Sequence, residues 1–66
     1  MFVDYLEGFL KKNKIKPNKL HARYITFFGK NCNIRIWFDG RVHVYRDDKM
    51  VDNFKFNEKQ ILSYMR

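Results

Sequence analysis

Apolar residues recur at three- and four-residue spacings from Phe2 to about Asn13, where Phe2, Val3, Tyr5, Leu6, Phe9 and Leu10 form one stripe. That period predicts an amphipathic helix. Asp4 and Glu7 fall in its first turns and Lys11 and Lys12 in its last, which suits the helix dipole, and Glu7 with Lys11 adds an i,i+4 pair. Pro17 disfavours helical backbone at Lys16, so Lys14 to Lys19 reads as a basic connector.

Beyond the connector the period shortens to two. The run from Ala22 to Phe28 is β-branched and aromatic, which predicts a first strand, and Gly29-Lys-Asn-Cys32 reads as its closing loop. From Asn33 to Arg46 two alternating strands flank Asp39-Gly40. Ile34, Ile36, Val42 and Val44 interleave with Arg35, Trp37, Arg41, His43 and Tyr45. Successive strand side chains point to opposite faces, so one face is aliphatic and the other cationic and aromatic. Asp47-Asp48-Lys49 is the next turn, and Met50 to Phe56 is a fourth strand with Phe54 and Phe56 toward the core; the pattern does not fix its register. Asn57 with Gln60 makes a capping-box-like start to a short last helix, whose apolar side is Ile61, Leu62 and Met65.

Whether the five polar-face residues share one surface depends on the hairpin loop, because loop length fixes register. A two-residue type I′ loop at Asp39-Gly40 would pair Phe38 with Arg41 and mix the faces. A three-residue loop, Phe38-Asp39-Gly40 with Gly40 left-handed, pairs Trp37 with Arg41, Ile36 with Val42, Arg35 with His43 and Ile34 with Val44. The longer loop is preferred, since a one-residue slip would put aliphatic groups in water at about 0.8 kcal/mol per methylene. By the same alternation Phe27 opposes Ile34 and Ile25 opposes Ile36. Tyr24, Thr26 and Phe28 then lie beside Arg35 and Trp37.

The fold class is α+β, a single small domain over residues 1–66: an antiparallel three- to four-stranded meander flanked by an N-terminal and a short C-terminal helix, in the order α-β-β-β-(β)-α. Both helices pack on the aliphatic face and leave the other open. A chain of 66 residues has room for one core and is only marginally stable. Seven Phe, four Tyr and one Trp compensate, because each aromatic buries roughly 150 to 250 Å².

A lone Cys32 excludes an internal disulfide, and with His21 and His43 as the only histidines no zinc-ligand spacing exists. Neither a metal nor a cofactor is expected. Asp47, Asp48 and Asp52 lack the spacing of a calcium loop, and no phosphate-binding glycine loop or catalytic signature is present, so the chain is read as non-enzymatic. Acidic residues near the N-terminus do not suit a signal peptide and no apolar run is long enough to span a membrane, so a cytoplasmic location without membrane binding is expected.

The net charge of +7 is unevenly placed: between Gly8 and Phe38 there is no acidic residue. Two basic constellations result. Tyr24, Phe28, Arg35, Trp37, Arg41, His43 and Tyr45 combine aromatic planes with cations, which is how sheets bind single strands. Lys11, Lys12, Lys14, Lys16 and Lys19 with His21 and Arg23 run from the helix into the first strand and suit a phosphate backbone. The bland counterparts are a Trp37–Arg41 cation–π pair that only stabilises the sheet, and a solvated lysine surface.

The helix-sheet-helix order resembles a double-stranded-RNA-binding domain, and the strand meander followed by a helix is similar to the sheet-type DNA-binding domains of some integrases. The first resemblance implies a basic cluster opening the last helix, where Asn57-Glu-Lys-Gln60 offers only Lys59. The expected function is binding of DNA or RNA by a small basic protein, a monomer or homodimer. The alternative is a protein-binding module, an inhibitor or adaptor docking the same face on an acidic protein. Small size and high charge would also suit a regulator of phage or mobile-element origin.

Overall fold

The computed structural model describes all 66 residues, Met1–Arg66. Helix α1 spans Phe2–Lys12, strands β1 to β5 span Lys19–Leu20, Tyr24–Gly29, Cys32–Trp37, Arg41–Arg46 and Lys49–Lys55, and helix α2 spans Glu58–Ser63. The strands form one antiparallel sheet in the order β1-β2-β3-β4-β5. Both helices lie on its aliphatic side, as the pattern predicts. Leu6, Phe9 and Leu10 of α1 and Ile61 of α2 join Ile25, Phe27, Ile34, Ile36, Val42 and Val44 in one buried cluster.

The hairpin register is the one with the three-residue loop. Ile34 pairs with Val44, Arg35 with His43 and Ile36 with Val42, and Gly40 has φ of 100°, a conformation a Cβ would strain. The preceding register also agrees, with Ile25 opposite Ile36 and Phe27 opposite Ile34. Phe38 folds from the loop onto the end of the core, and its amide donates to the carbonyl of Arg23 at 2.9 Å.

Four expectations are corrected. The segment Gly29–Cys32 is not all loop: Gly29 pairs with Cys32, leaving Lys30 and Asn31 as the turn, with Asn31 at φ 57°. Gly29 belongs there because a Cβ would approach the Tyr64 carbonyl oxygen to 2.6 Å. The basic connector contributes a fifth strand, Lys19–Leu20, held by backbone N–H hydrogen bonds donated from Asn18 to the Thr26 carbonyl and from His21 to the Tyr24 carbonyl. Lys49 belongs to β5, so the turn is Asp47-Asp48 alone, both with positive φ as a type I′ turn requires. Finally, Glu7 and Lys11 do not pair; Lys12 instead reaches Glu58 of α2 at 3.7 Å and ties the helices together.

A bulge explains why the register of β5 escaped the pattern. Val44 pairs with Asp52 and Tyr45 with Met50, so Val51 is an extra residue that breaks the alternation. Below it Phe54 and Phe56 turn toward the core, and Phe56 meets Phe2 and Phe9 edge to face at 5.1 and 5.3 Å. Asn57 caps α2 by accepting from the Gln60 amide at 3.0 Å.

Candidate nucleic-acid interface

The side of the sheet away from the helices is covered by no other element of the chain. Strand pairing sets its side chains in rows. Tyr24 lies beside Trp37, and at the far end of that row Arg41 lies beside Lys55. The next row runs Lys19, Thr26, Arg35, His43, Asn53, and the third Phe28, Asn33, Tyr45, Met50. No carboxylate occurs in these rows. Asp4, Glu7 and Glu58 are on the helices, Asp39, Asp47 and Asp48 in turns, and Asp52 bonds the Tyr64 hydroxyl on the helix side.

The rings are packed on one another. His21 stacks on Tyr24 at 4.4 Å, Tyr24 meets Trp37 edge-on at 4.8 Å, and Trp37, His43 and Tyr45 continue the chain at 5.9 and 6.3 Å. The Arg35 guanidinium sits among them, 4.4 Å from the centre of Tyr24 and 5.0 Å from that of Tyr45. Arg41 lies 5.1 Å from Trp37, so the cross-strand cation–π pair does form. Arg41 is in a solvent-exposed ion pair with Asp39 at 2.9 Å, whereas Arg35 has no carboxylate partner and its shielded Nε has no hydrogen bond. A shielded donor without a partner carries a desolvation cost that a bound acceptor would relieve.

His43 is held in one tautomer. Its Nδ1 accepts from the Trp37 indole N–H at 3.1 Å, which places the neutral ring's proton on Nε2; the Tyr45 hydroxyl lies 3.5 Å from the same Nδ1. Burial first, then the charges of Arg41 and Arg35, push the imidazole pKa below its usual value, with Asp39 opposing.

The candidate residues divide into groups. Tyr24, Arg35, Trp37, Arg41, His43 and Tyr45 come together on the uncovered face, and Lys19 joins their edge through β1. Arg23 borders a groove with Trp37 and Arg41. Lys11 and Lys12 end the helix on the opposite side of the sheet, while Lys14 and Lys16 lie on the connector leading from that helix to β1. The second basic constellation is therefore split, because the sheet runs between its halves. Sequence reasoning missed His21 as a stacking partner and Lys55 and Asn53 as members of the face; the β5 bulge and the two-residue strand β1 left no periodic signal for them.

No known protein family, curated protein or solved structure matches this chain. No group of three or more His, Cys, Asp or Glu is placed to hold a metal ion, and no helix is long and apolar enough to cross a membrane.

Proposed function

We propose that this protein is a non-enzymatic binder of single-stranded nucleic acid, DNA or RNA, and that the strand lies across the uncovered face of the sheet. The observation that carries the reading is the separation of charge: Lys19, Arg35, Arg41 and Lys55 share a face whose rows hold no carboxylate, the one acidic strand residue, Asp52, lying on the helix side. Trp37 and Tyr45 offer base stacking, Arg35 and Arg41 phosphate contact, and Lys14 and Lys16 long-range attraction from the connector. Lys11 and Lys12 contribute only to the overall field.

A second reading has one observation in its favour. The rings meet edge-on and hydrogen-bond one another, so Trp37, Tyr45 and Arg35 also suit the packed centre of an interface with an acidic protein. Salt separates the two. With about three to four phosphates neutralised, affinity for a single-stranded oligonucleotide falls with log salt at a slope of roughly −2 to −3. Trp37→Ala, with the fold intact by circular dichroism, weakens that binding by about 1 to 3 kcal/mol. Tight binding with no salt slope, or affinity unchanged in Trp37→Ala, contradicts strand binding by this face.

A further inference from the structure

The largest cavity, about 660 Å³, opens at the end of the uncovered face, between the Lys30–Asn31 and Asp47–Asp48 turns. That volume lies within the usual range for small-ligand sites. Three features of its lining point to one ligand class. Phe28 is 68% exposed, the most exposed of the Phe, Tyr and Trp rings, and presents an unused aromatic plane beside Asn33. Next to it two shielded polar atoms lack partners: Asn33 Oδ1, an acceptor, and Arg35 Nε, a donor. A bare anion offers only acceptors and cannot serve both. The edge of a nucleobase carries both a donor and an acceptor. Asn33 and Arg35 both line the groove and are themselves only half-buried.

The acidic rim narrows the class. Asp47 and Asp48 line the mouth and accept hydrogen bonds, which suits an exocyclic amino group and repels the two carbonyl oxygens of uracil or thymine. Arg46, anchored by its Nε to the Asn31 carbonyl at 3.1 Å, supplies a cation at the same mouth for the phosphate. We propose that this groove takes one unstacked nucleotide whose base carries an exocyclic amino group, cytosine, adenine or guanine, with the base against Phe28. The subsite deepens the strand-binding reading and rests on it for its place along a bound strand.

The experiment titrates the isotope-labelled full chain with CMP, UMP and inorganic phosphate, followed by chemical shifts, alongside a mixed-sequence oligonucleotide. CMP should shift Phe28, Asn33, Arg35 and Tyr45 and bind roughly 2- to 10-fold tighter than UMP, the range one hydrogen bond supplies. Phosphate alone should leave Phe28 in place. Asp47→Asn with Asp48→Asn keeps the turn, since Asn tolerates positive φ, and should bring the CMP-to-UMP ratio close to one. Equal affinity for CMP and UMP, or phosphate reproducing the CMP shifts, overturns the subsite. If the oligonucleotide moves Trp37 and no mononucleotide moves the groove, the subsite is wrong and strand binding stands. If CMP selects the groove and the oligonucleotide does not bind, strand binding is wrong and the subsite stands.

Discussion

Arg35 sets the balance on the uncovered face, because it is held there by rings and not by a counter-charge. Its stem and guanidinium contribute packing against Tyr24 and Tyr45, while its unpaired Nε contributes a cost. Replacing it with a flexible apolar chain separates the two roles. Arg35→Met is expected to leave the melting temperature unchanged or higher, and to weaken oligonucleotide binding by about 1.5 to 3 kcal/mol, the worth of a charged hydrogen bond. A variant that loses stability but keeps affinity would make Arg35 a structural residue. His43 beside it adds a pH signature. Its lowered pKa means the unfolded chain binds more protons between the folded value and about 6.5. Its contribution to stability is therefore complete above about 6.5 and is lost as pH falls through the folded value. Thermal unfolding at pH 8 and pH 5 should show a smaller drop for His43→Gln than for the native chain. A strand's phosphates favour the imidazolium, so oligonucleotide affinity should rise as pH falls over the same range.

Turn geometry decides whether the elements present a sorted face. Asp39-Gly40 fits two loop lengths, and only the aliphatic alternation of Ile34, Ile36, Val42 and Val44 selects the three-residue one. The burial energy of those side chains made this register legible in the sequence. The strand at Lys19–Leu20 was not legible, because two residues have no period and the bonds that make it come from Asn18 and His21. The bulge at Val51 was hidden for the opposite reason: it interrupts a period that the strand otherwise keeps. Two glycine substitutions test this account. Gly40→Ala meets no atom within 4 Å and costs only backbone strain, about 1 to 2 kcal/mol. Gly29→Ala carries no such backbone strain but must displace the Tyr64 carbonyl and the Cys32 sulfur, at 2.6 and 2.8 Å, and should cost more in denaturant unfolding. Equal losses would contradict the close packing of α2 against the β2–β3 hairpin.

At the scale of the whole molecule, one small core supports a strongly charged surface. At roughly 0.05 to 0.15 kcal/mol per residue, a chain this short holds about 3 to 10 kcal/mol of stability. A core truncation such as Ile36→Ala, at about 2 to 5 kcal/mol, would consume much of that. Function is therefore best probed on the uncovered face, where side chains can change without emptying the core. The sequence revealed the basic and aromatic residues of that face, but not that the sheet separates Lys11 and Lys12 from them, since charge along a chain carries no information about layers. The separation yields the most direct measurement. In a chemical-shift titration with a single-stranded oligonucleotide at low salt, the largest changes should fall on the Trp37 indole N–H, Arg35, His43 and Tyr45, with α1 and α2 nearly unmoved. Changes concentrated on Lys11, Lys12 and the helices, or no changes at all, would contradict strand binding by the sheet.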